Sequence, residues 1–274
     1  MTTAPTQVVA LTEVAGATET WRLFLPQTMI QTKRLLMRWR RDPLTVVQSL
    51  VFPALLLIML NTVLGRQISS FAGSSALYGS VPMVALVGVM SGSVAGAITL
   101  GRERDQGLLA RFWVLPVHRA SGLAARIVAE GVRILSCTLV LFAVGVALGF
   151  RFERGVAAGF ALFGVPMLFG LAFATVVTAV AVFSAKAALV EAVSLGSSLM
   201  MFFCTGFVPL TAYPAWAQPI VEHQPMTYAI DAMRGLSLGG PVRTPLLATI
   251  AWSVGAIVVF AIPAALGYRR ASRA

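Results

Sequence analysis

Six stretches of about 20 mostly apolar residues follow one another along this 274-residue chain. The hydrocarbon core of a bilayer is ~30 Å thick and an α-helix rises ~1.5 Å per residue, so each stretch is long enough to cross it. A soluble fold could not bury the apolar surface of a chain that is 58% hydrophobic and only 11% charged. We therefore predict an all-α membrane protein with six transmembrane helices. They run from about Leu44 to Leu64, Tyr78 to Leu100, Ile127 to Gly149, Val156 to Phe183, Ala188 to Val208 and Pro245 to Gly267.

The basic residues lie at the ends of these stretches rather than along a polar groove. The formal charge of +11 therefore does not indicate binding to nucleic acid. With the N-terminus inside, sixteen of the 21 lysines and arginines fall in inner segments and five in outer segments. This excess follows the positive-inside rule. The sequence thus predicts a multi-pass protein of the cell membrane with both N- and C-termini in the cytoplasm.

The segment before the first stretch predicts an amphipathic helix on the membrane surface, ending at Asp42-Pro43. The alternative is that it is only the basic flank of the first span. We divide the chain into a flexible cytoplasmic N-terminus (1–20), this interface helix (21–43), a transmembrane domain (44–267) and a cytoplasmic tail (268–274). At about 100° per residue, one side of the helix gathers the apolar residues Leu25, Met29, Leu36 and Trp39, and the other side gathers Gln27, Gln31, Arg34, Arg38 and Arg41.

Three glycines in the second stretch, Gly88, Gly92 and Gly96, recur every four residues and so lie on one helix face. A face without side chains allows another helix to approach closely. Packing is one interpretation of this face, and lining a conduit is the other.

The inner segment between the second and third stretches combines charged and apolar residues and ends at a proline. A short amphipathic helix in such a loop suits a groove on another protein, or else lies on the membrane surface. Further on, Arg126, Glu130 and Arg133 have a spacing that allows ion pairs along one helical edge. The candidate docking residues are Arg102, Glu103, Arg104, Gly107, Leu108, Leu109, Arg111 and Pro116.

The outer segment between the fifth and sixth stretches is broken by prolines and is too apolar for an ordinary solvent loop. We predict short re-entrant helices here, with aromatic rings at headgroup depth. The adjacent Glu222 and His223 have no further ligands nearby in the sequence, so we expect no metal site. The residues that mark this region are Pro209, Tyr213, Pro214, Trp216, Pro225, Tyr228 and Arg234.

The sequence lacks the residues that several kinds of protein chemistry require. It contains no GxxxxGK[ST] phosphate-binding loop, so we expect the chain to bind no ATP. Its acidic residues are predicted near helix ends or outside the spans, whereas an ion-driven carrier places such groups near the midplane. Neither histidine is predicted at the depth of Ser91 or Ser93, which argues against an intramembrane hydrolase.

These features together resemble a permease subunit of the type-2 ABC exporters, and the daunorubicin-resistance branch in particular. The strings WVLPVHRASGL (113–123) and GYRRAS (267–272) are similar to the mycobacterial C-type subunit of that branch, which is associated with export of phthiocerol dimycocerosate lipids. The resemblance covers nearly the whole chain. Besides the basic helix before the first span, it rests on Gly107-Leu108, Leu115-Pro116, Gly206 to Pro209, Tyr213-Pro214, Trp216, Gln224-Pro225, Tyr228-Ala229 and Ala232 to Arg234.

The resemblance implies a non-catalytic permease that pairs with a second permease, either a paralogue or another copy, and with two copies of a separate ATPase that holds ATP and Mg²⁺. It assigns residues 102–116 to the helix that couples to the ATPase. It places spans two and five around the cargo route, and the proline-broken outer helices as its cap. Cargo would be an amphipathic drug or a cell-envelope lipid. The rival hypotheses are a membrane scaffold that transports nothing and a secondary transporter.

Overall fold

The computed structural model describes residues 23–72, 75–105, 121–183 and 187–271. In these ranges the regular elements are all helices, as the apolar stretches predict. The predicted N-terminus (1–20) lies outside the described residues. The helices are α1, Phe24–Arg41; α2, which begins with Pro43–Val46 and ends with Gly65–Ala72; α3, Leu77–Asp105; α4, Ser121–Ala147; α5, Gly155–Phe183; α6, Ala187–Phe202; α7, Gln218–His223; α8, Pro225–Leu238; and α9, Arg243–Ala271.

Five of these helices, α2, α3, α4, α5 and α9, are long and apolar enough to cross a membrane. The predicted fifth span is shorter than expected: α6 has 16 residues, or ~24 Å, and ends at Phe202 rather than Val208. Beyond the end of this helix, Gly206 lies against Met83 of α3, where a Cβ on Gly206 would stand 2.7 Å from that side chain. Six full spans are therefore not confirmed. Cytoplasmic placement of both termini needs an even number of crossings and stays a prediction.

Helix α2 is longer than the predicted span, since it continues beyond Leu64 through the segment Gly65–Ala72. Two π-helical turns, Val47–Val51 and Leu60–Leu64, interrupt it. The first turn precedes Pro53, which has no N–H to donate to the Ser49 carbonyl one turn earlier. The Cys137 thiol of α4 donates to that carbonyl instead, with Sγ and O 3.0 Å apart. A neighbouring helix thus satisfies the backbone group that the proline leaves free.

Helix α3 lies at the centre of the bundle and contacts α2, α4, α5, α6 and α8. In its most apolar 18-residue window, 78% of the residues are buried, against 11% in α9. Close approach to α5 depends on Gly170, where a Cβ would stand 2.9 Å from Ile134 and would also overlap Val89. The core around α3 combines aliphatic and aromatic side chains, including Met83, Leu86, Val89, Ile134, Leu141, Phe142, Phe150 and Met233.

Helix α1 packs along α4 through small polar side chains, which we did not predict. Thr28 and Thr32 are its buried residues, and Gln31 Nε2 donates to Ser121 Oγ at 3.2 Å. Leu25 and Met29, predicted to form the apolar side with Leu36 and Trp39, are 70% and 74% exposed within the chain. The helix and its end before Pro43 are confirmed, but its packed face is centred on the threonines.

Candidate functional site

A buried carboxylate joins three helices where α3 ends. The Glu103 side chain is only 4% exposed and lies between two arginines. Arg38 Nη1 of α1 donates to Glu103 Oε1 at 2.5 Å, and Arg126 Nη2 of α4 pairs with Glu103 Oε2. A carboxylate in such a place is tolerated because it is paired on both oxygens. We call Arg38, Glu103 and Arg126 the junction cluster.

The junction cluster lies where the predicted docking segment, residues 102–116, begins. Arg102 is exposed, and Arg104 Nη1 donates to the Val182 carbonyl at 3.2 Å, near the carboxyl end of α5. A cation at this position satisfies a terminal helix carbonyl. Gly107, Leu108, Leu109, Arg111 and Pro116 lie outside the described residues, so the proposed docking surface itself stays a prediction.

A second charged cluster lies deeper between α3 and α4. Arg133 is 4% exposed, and its Nη2 donates to the Val89 carbonyl at 3.1 Å and to Ser93 Oγ at 3.0 Å. Glu130 accepts from Arg133 Nε at 3.0 Å and from Ser93 Oγ at 2.6 Å. We call Ser93, Glu130 and Arg133 the inner cluster.

The inner cluster confirms one sequence prediction and corrects two. Glu130 and Arg133 pair along α4 as their spacing predicted, but Arg126 turns away to pair with Glu103. We had placed Glu130 near a helix end because we expected its span to start at Ile127; α4 starts at Ser121, so Glu130 lies nine residues into it. An acidic residue does therefore lie within a span. Its charge is balanced by Arg133 rather than left for a coupling ion.

The three glycines of α3 have different surroundings. A Cβ on Gly88 would stand 2.9 Å from Cys137 Sγ and 3.2 Å from Pro53 Cγ. A Cβ on Gly92 would overlap the Arg133 guanidinium, while a Cβ on Gly96 would meet nothing within 4 Å. Gly88 and Gly92 thus serve close packing inside this chain, and Gly96 faces open space.

That open space belongs to a cavity of about 360 Å³ between α1, α3, α4, α5 and α9. Both clusters contribute to its wall, together with Gly92, Gly96 and many aliphatic side chains. In the described part of the chain, two buried donor atoms have no hydrogen-bond partner, Trp39 Nε1 and Arg133 Nη1, and both residues line this cavity. The sequence marked neither atom, because a donor without a partner is recognised only once its neighbours are placed.

The outer segment forms the short elements that its prolines predicted. A 3₁₀ turn, Leu210–Ala212, is followed by α7, and Pro225 begins α8. Because α8 has 14 residues, it is ~21 Å long and too short to span a bilayer. Their depth in a bilayer stays a prediction.

Hydrogen bonds from two of the marked residues hold this segment to the bundle. Tyr213 Oη donates to the carbonyls of Phe202 and Cys204 at 3.1 and 3.0 Å, beyond the end of α6. Arg234 Nη2 donates to the Thr205 carbonyl at 2.6 Å, and its Nη1 pairs with Asp231 at 3.3 Å. Pro209 is partly buried, Pro214 is exposed, Tyr228 is partly buried and Trp216 is 69% exposed. The described residues contain no group of three or more potential metal ligands.

Comparison with known proteins agrees with the resemblance found in the sequence. Residues 26–238 match the model of the family described as ABC-2 type transporter. The chain is 48% identical over 271 residues to the probable doxorubicin resistance ABC transporter permease protein DrrC of Mycobacterium tuberculosis, covering 99% of this chain and 98% of the relative. It is 24% identical over 273 residues to the daunorubicin resistance ABC transporter permease protein DrrB1 of Streptomyces coeruleorubidus, covering 95% of each chain.

Proposed function

The chain belongs to the ABC-2 type transporter family, and from that membership we propose that it is one permease subunit of an ATP-driven exporter. It is a multi-pass permease of the plasma membrane, related to drug-resistance exporters. The observation that carries the proposal is the 48% identity, over nearly its whole length, to a doxorubicin-resistance permease. Homologues named as permeases argue against the scaffold hypothesis.

The energy would come from a separate protein, because this sequence has no phosphate-binding loop. Two copies of an ABC ATPase would bind ATP and Mg²⁺, and a second permease, a paralogue or another copy of this chain, would complete the gate. Cargo would be an amphipathic drug such as daunorubicin or doxorubicin, or a complex cell-envelope lipid such as phthiocerol dimycocerosate. Either cargo would enter from the membrane lipids that surround the helices.

The junction cluster supports a coupling role for residues 102–116. Glu103 links the start of this segment to α1 and α4 at once, through the Arg38 and Arg126 pairs. A push on the segment would therefore move three helices together. Because interiors are close-packed, such displacements pass between helices rather than being absorbed locally. In the same way, the Tyr213 and Arg234 bonds hold the outer segment to α6, which supports its assignment as a cap over the route.

Uptake of doxorubicin into inverted vesicles tests the proposal. Vesicles containing this chain, the second permease and the ATPase should accumulate the drug when ATP is added. Vesicles without the ATPase, or with its phosphate-loop lysine replaced, should not. Uptake that is the same without the ATPase would show that the proposal is wrong.

A substitution pair then tests coupling separately. Glu103→Gln keeps the size of the side chain but leaves Arg38 and Arg126 without their shared anion, so we expect ATP-dependent uptake to fall several-fold. Glu222→Gln is the matched control because Glu222 is exposed. If the Glu103 variant assembles with the ATPase and transports as well as the control, the junction cluster has no part in coupling.

A further inference from the structure

Helices α1 and α2 are separated by a single residue that belongs to neither. Asp42 has an extended backbone, with φ −96° and ψ 97°. Its carboxylate accepts from the Thr45 hydroxyl at 2.6 Å and from the Thr45 N–H at 3.4 Å, and Pro43 occupies the first position of α2. Asp42 therefore caps α2 without any help from α1. Rotation about the N–Cα bond of Asp42 moves α1 relative to α2 and keeps the hydrogen bonds within both helices.

Helix α1 buries little apolar surface against the rest of the bundle. It packs chiefly against α4, and its buried residues are Thr28 and Thr32. The Thr32 hydroxyl lies 3.4 Å from the Ala125 carbonyl oxygen of α4. Met29 and Ile30, by contrast, are 74% and 70% exposed within the chain. A helix fixed by close packing buries its large side chains, so α1 is held to α4 mostly by polar contacts.

The ion pair that ties α1 to α3 can break without stranding a buried charge. The Arg38 side chain is 48% exposed, whereas that of Glu103 is 4% exposed. When α1 moves away, the half-exposed Arg38 becomes more hydrated, and Glu103 keeps its pair with Arg126 of α4. A broken ion pair is costly when one charge is left buried and alone, and that does not happen here. With the pair closed, α1 follows Glu103; with the pair open, α1 is free to turn at Asp42.

Helix α1 also forms one wall of the cavity between α1, α3, α4, α5 and α9. Leu35, Leu36, Arg38 and Trp39 contribute that wall, and Gly96 of α3 also lines the cavity. A turn of α1 away from α4 would remove the wall and expose Gly96.

We propose that α1 is a hinged arm that turns about Asp42, closing this cavity when Arg38 pairs with Glu103 and opening it when the pair breaks. The arm belongs to a single permease chain, and its motion needs neither the ATPase nor cargo. The inference therefore goes beyond the proposed function and is tested on the full chain alone. Hinges of this kind are a few residues at the ends of elements that absorb a change in φ and ψ.

Pulsed electron paramagnetic resonance of the full chain in nanodiscs tests the motion. Spin labels are attached to Lys33→Cys of α1 and Val128→Cys of α4, because both positions are exposed. The native thiols are buried, and the chain without added cysteines is checked to take up no label. Each variant is first checked for a monodisperse elution profile and helical circular dichroism.

Two arginine substitutions on α1 are then compared in the labelled chain. Arg38→Gln removes the pair with Glu103, and Arg40→Gln is the matched control, because Arg40 is an exposed arginine outside the junction cluster. We expect Arg38→Gln to increase the population with a longer label-to-label distance several-fold, and Arg40→Gln to leave it unchanged. An equal increase in both variants would show a general effect of charge on α1 and would overturn the role of the pair.

Salt gives a second measurement in which Arg38 stays in place. The pair is half-exposed, so it weakens as the Debye length falls from ~10 Å at about 0.1 M salt to ~3 Å at about 1 M salt. We expect the longer distance to become about twofold more populated over this range. A distance distribution that neither Arg38→Gln nor salt changes would overturn the hinged arm.

A cysteine in place of Gly96 tests whether the arm covers the cavity. Gly101→Cys is the control, because a Cβ at either glycine meets nothing within 4 Å but Gly101 does not line the cavity. Mass spectrometry measures the rate at which a charged maleimide labels each position. We expect Arg38→Gln to raise the rate several-fold at position 96 and to leave it unchanged at position 101. If Arg38→Gln and Arg40→Gln give the same rate at position 96, α1 does not control access to the cavity.

Discussion

Replacing the α3 glycines by alanine one at a time should give three clearly different stabilities. Gly92→Ala places a methyl group where the Arg133 guanidinium lies. The guanidinium can move only by giving up its hydrogen bonds to Val89 and Ser93 in a buried setting, and bonds to charged groups are worth about 1.5–3 kcal/mol each. We expect Gly92→Ala to lower the free energy of unfolding by ~2–4 kcal/mol.

The other two glycines provide the comparison. A methyl group at Gly88 would crowd Cys137 and Leu141, the nearest atoms standing 2.9 and 3.1 Å away, so we expect a loss of about 1–2 kcal/mol. Gly96→Ala meets nothing within 4 Å, and alanine favours a helix over glycine by up to ~1 kcal/mol, so this variant should be neutral or slightly more stable.

Unfolding of the purified chain by dodecyl sulfate in mixed micelles, followed by circular dichroism, measures the series. The expected order of stability is Gly96→Ala first, Gly88→Ala second and Gly92→Ala last. If Gly92→Ala proves as stable as Gly96→Ala, the Arg133 guanidinium is not held against this face and the packing interpretation of the glycines is wrong.

Three further predictions follow from local contacts. Tyr213→Phe loses the two hydrogen bonds beyond the end of α6 and should lower the free energy of unfolding by about 1–2 kcal/mol in the same titration, whereas an unchanged value would mean that water replaces them. The Thr45 hydroxyl donates to the Asp42 carboxylate and holds the pKa of Asp42 below its ordinary value, so Thr45→Val should raise that pKa. A carboxyl ¹³C titration in micelles measures the pKa, and an unchanged value would assign the effect to another group. The buried thiols of Cys137 and Cys204 should resist maleimide in mild detergent and react after unfolding, and rapid labelling of the folded chain would contradict their burial.

The sequence alone determined the class of the protein, because a long apolar segment in a bilayer forms an α-helix. Helices satisfy every backbone group internally, so the spans starting near Leu44, Tyr78 and Pro245 could be recognised from length and composition. The prolines located the breaks in the outer segment, since a proline begins a helix readily and interrupts one. The resemblance to ABC exporters also came from local motifs.

The tertiary structure decided which polar groups meet. Arg126 was expected to pair with Glu130 four residues away, but Glu103 from another helix takes it. Beyond the end of α6 at Phe202, Gly206 meets Met83, and no local pattern contains a contact between residues 123 apart in sequence. Hydrophobic length fixes that a helix forms, whereas its rotation and neighbours depend on close packing over its whole face. The cavity and its two donors without partners follow from that packing, and for this reason only the assembled helices reveal them.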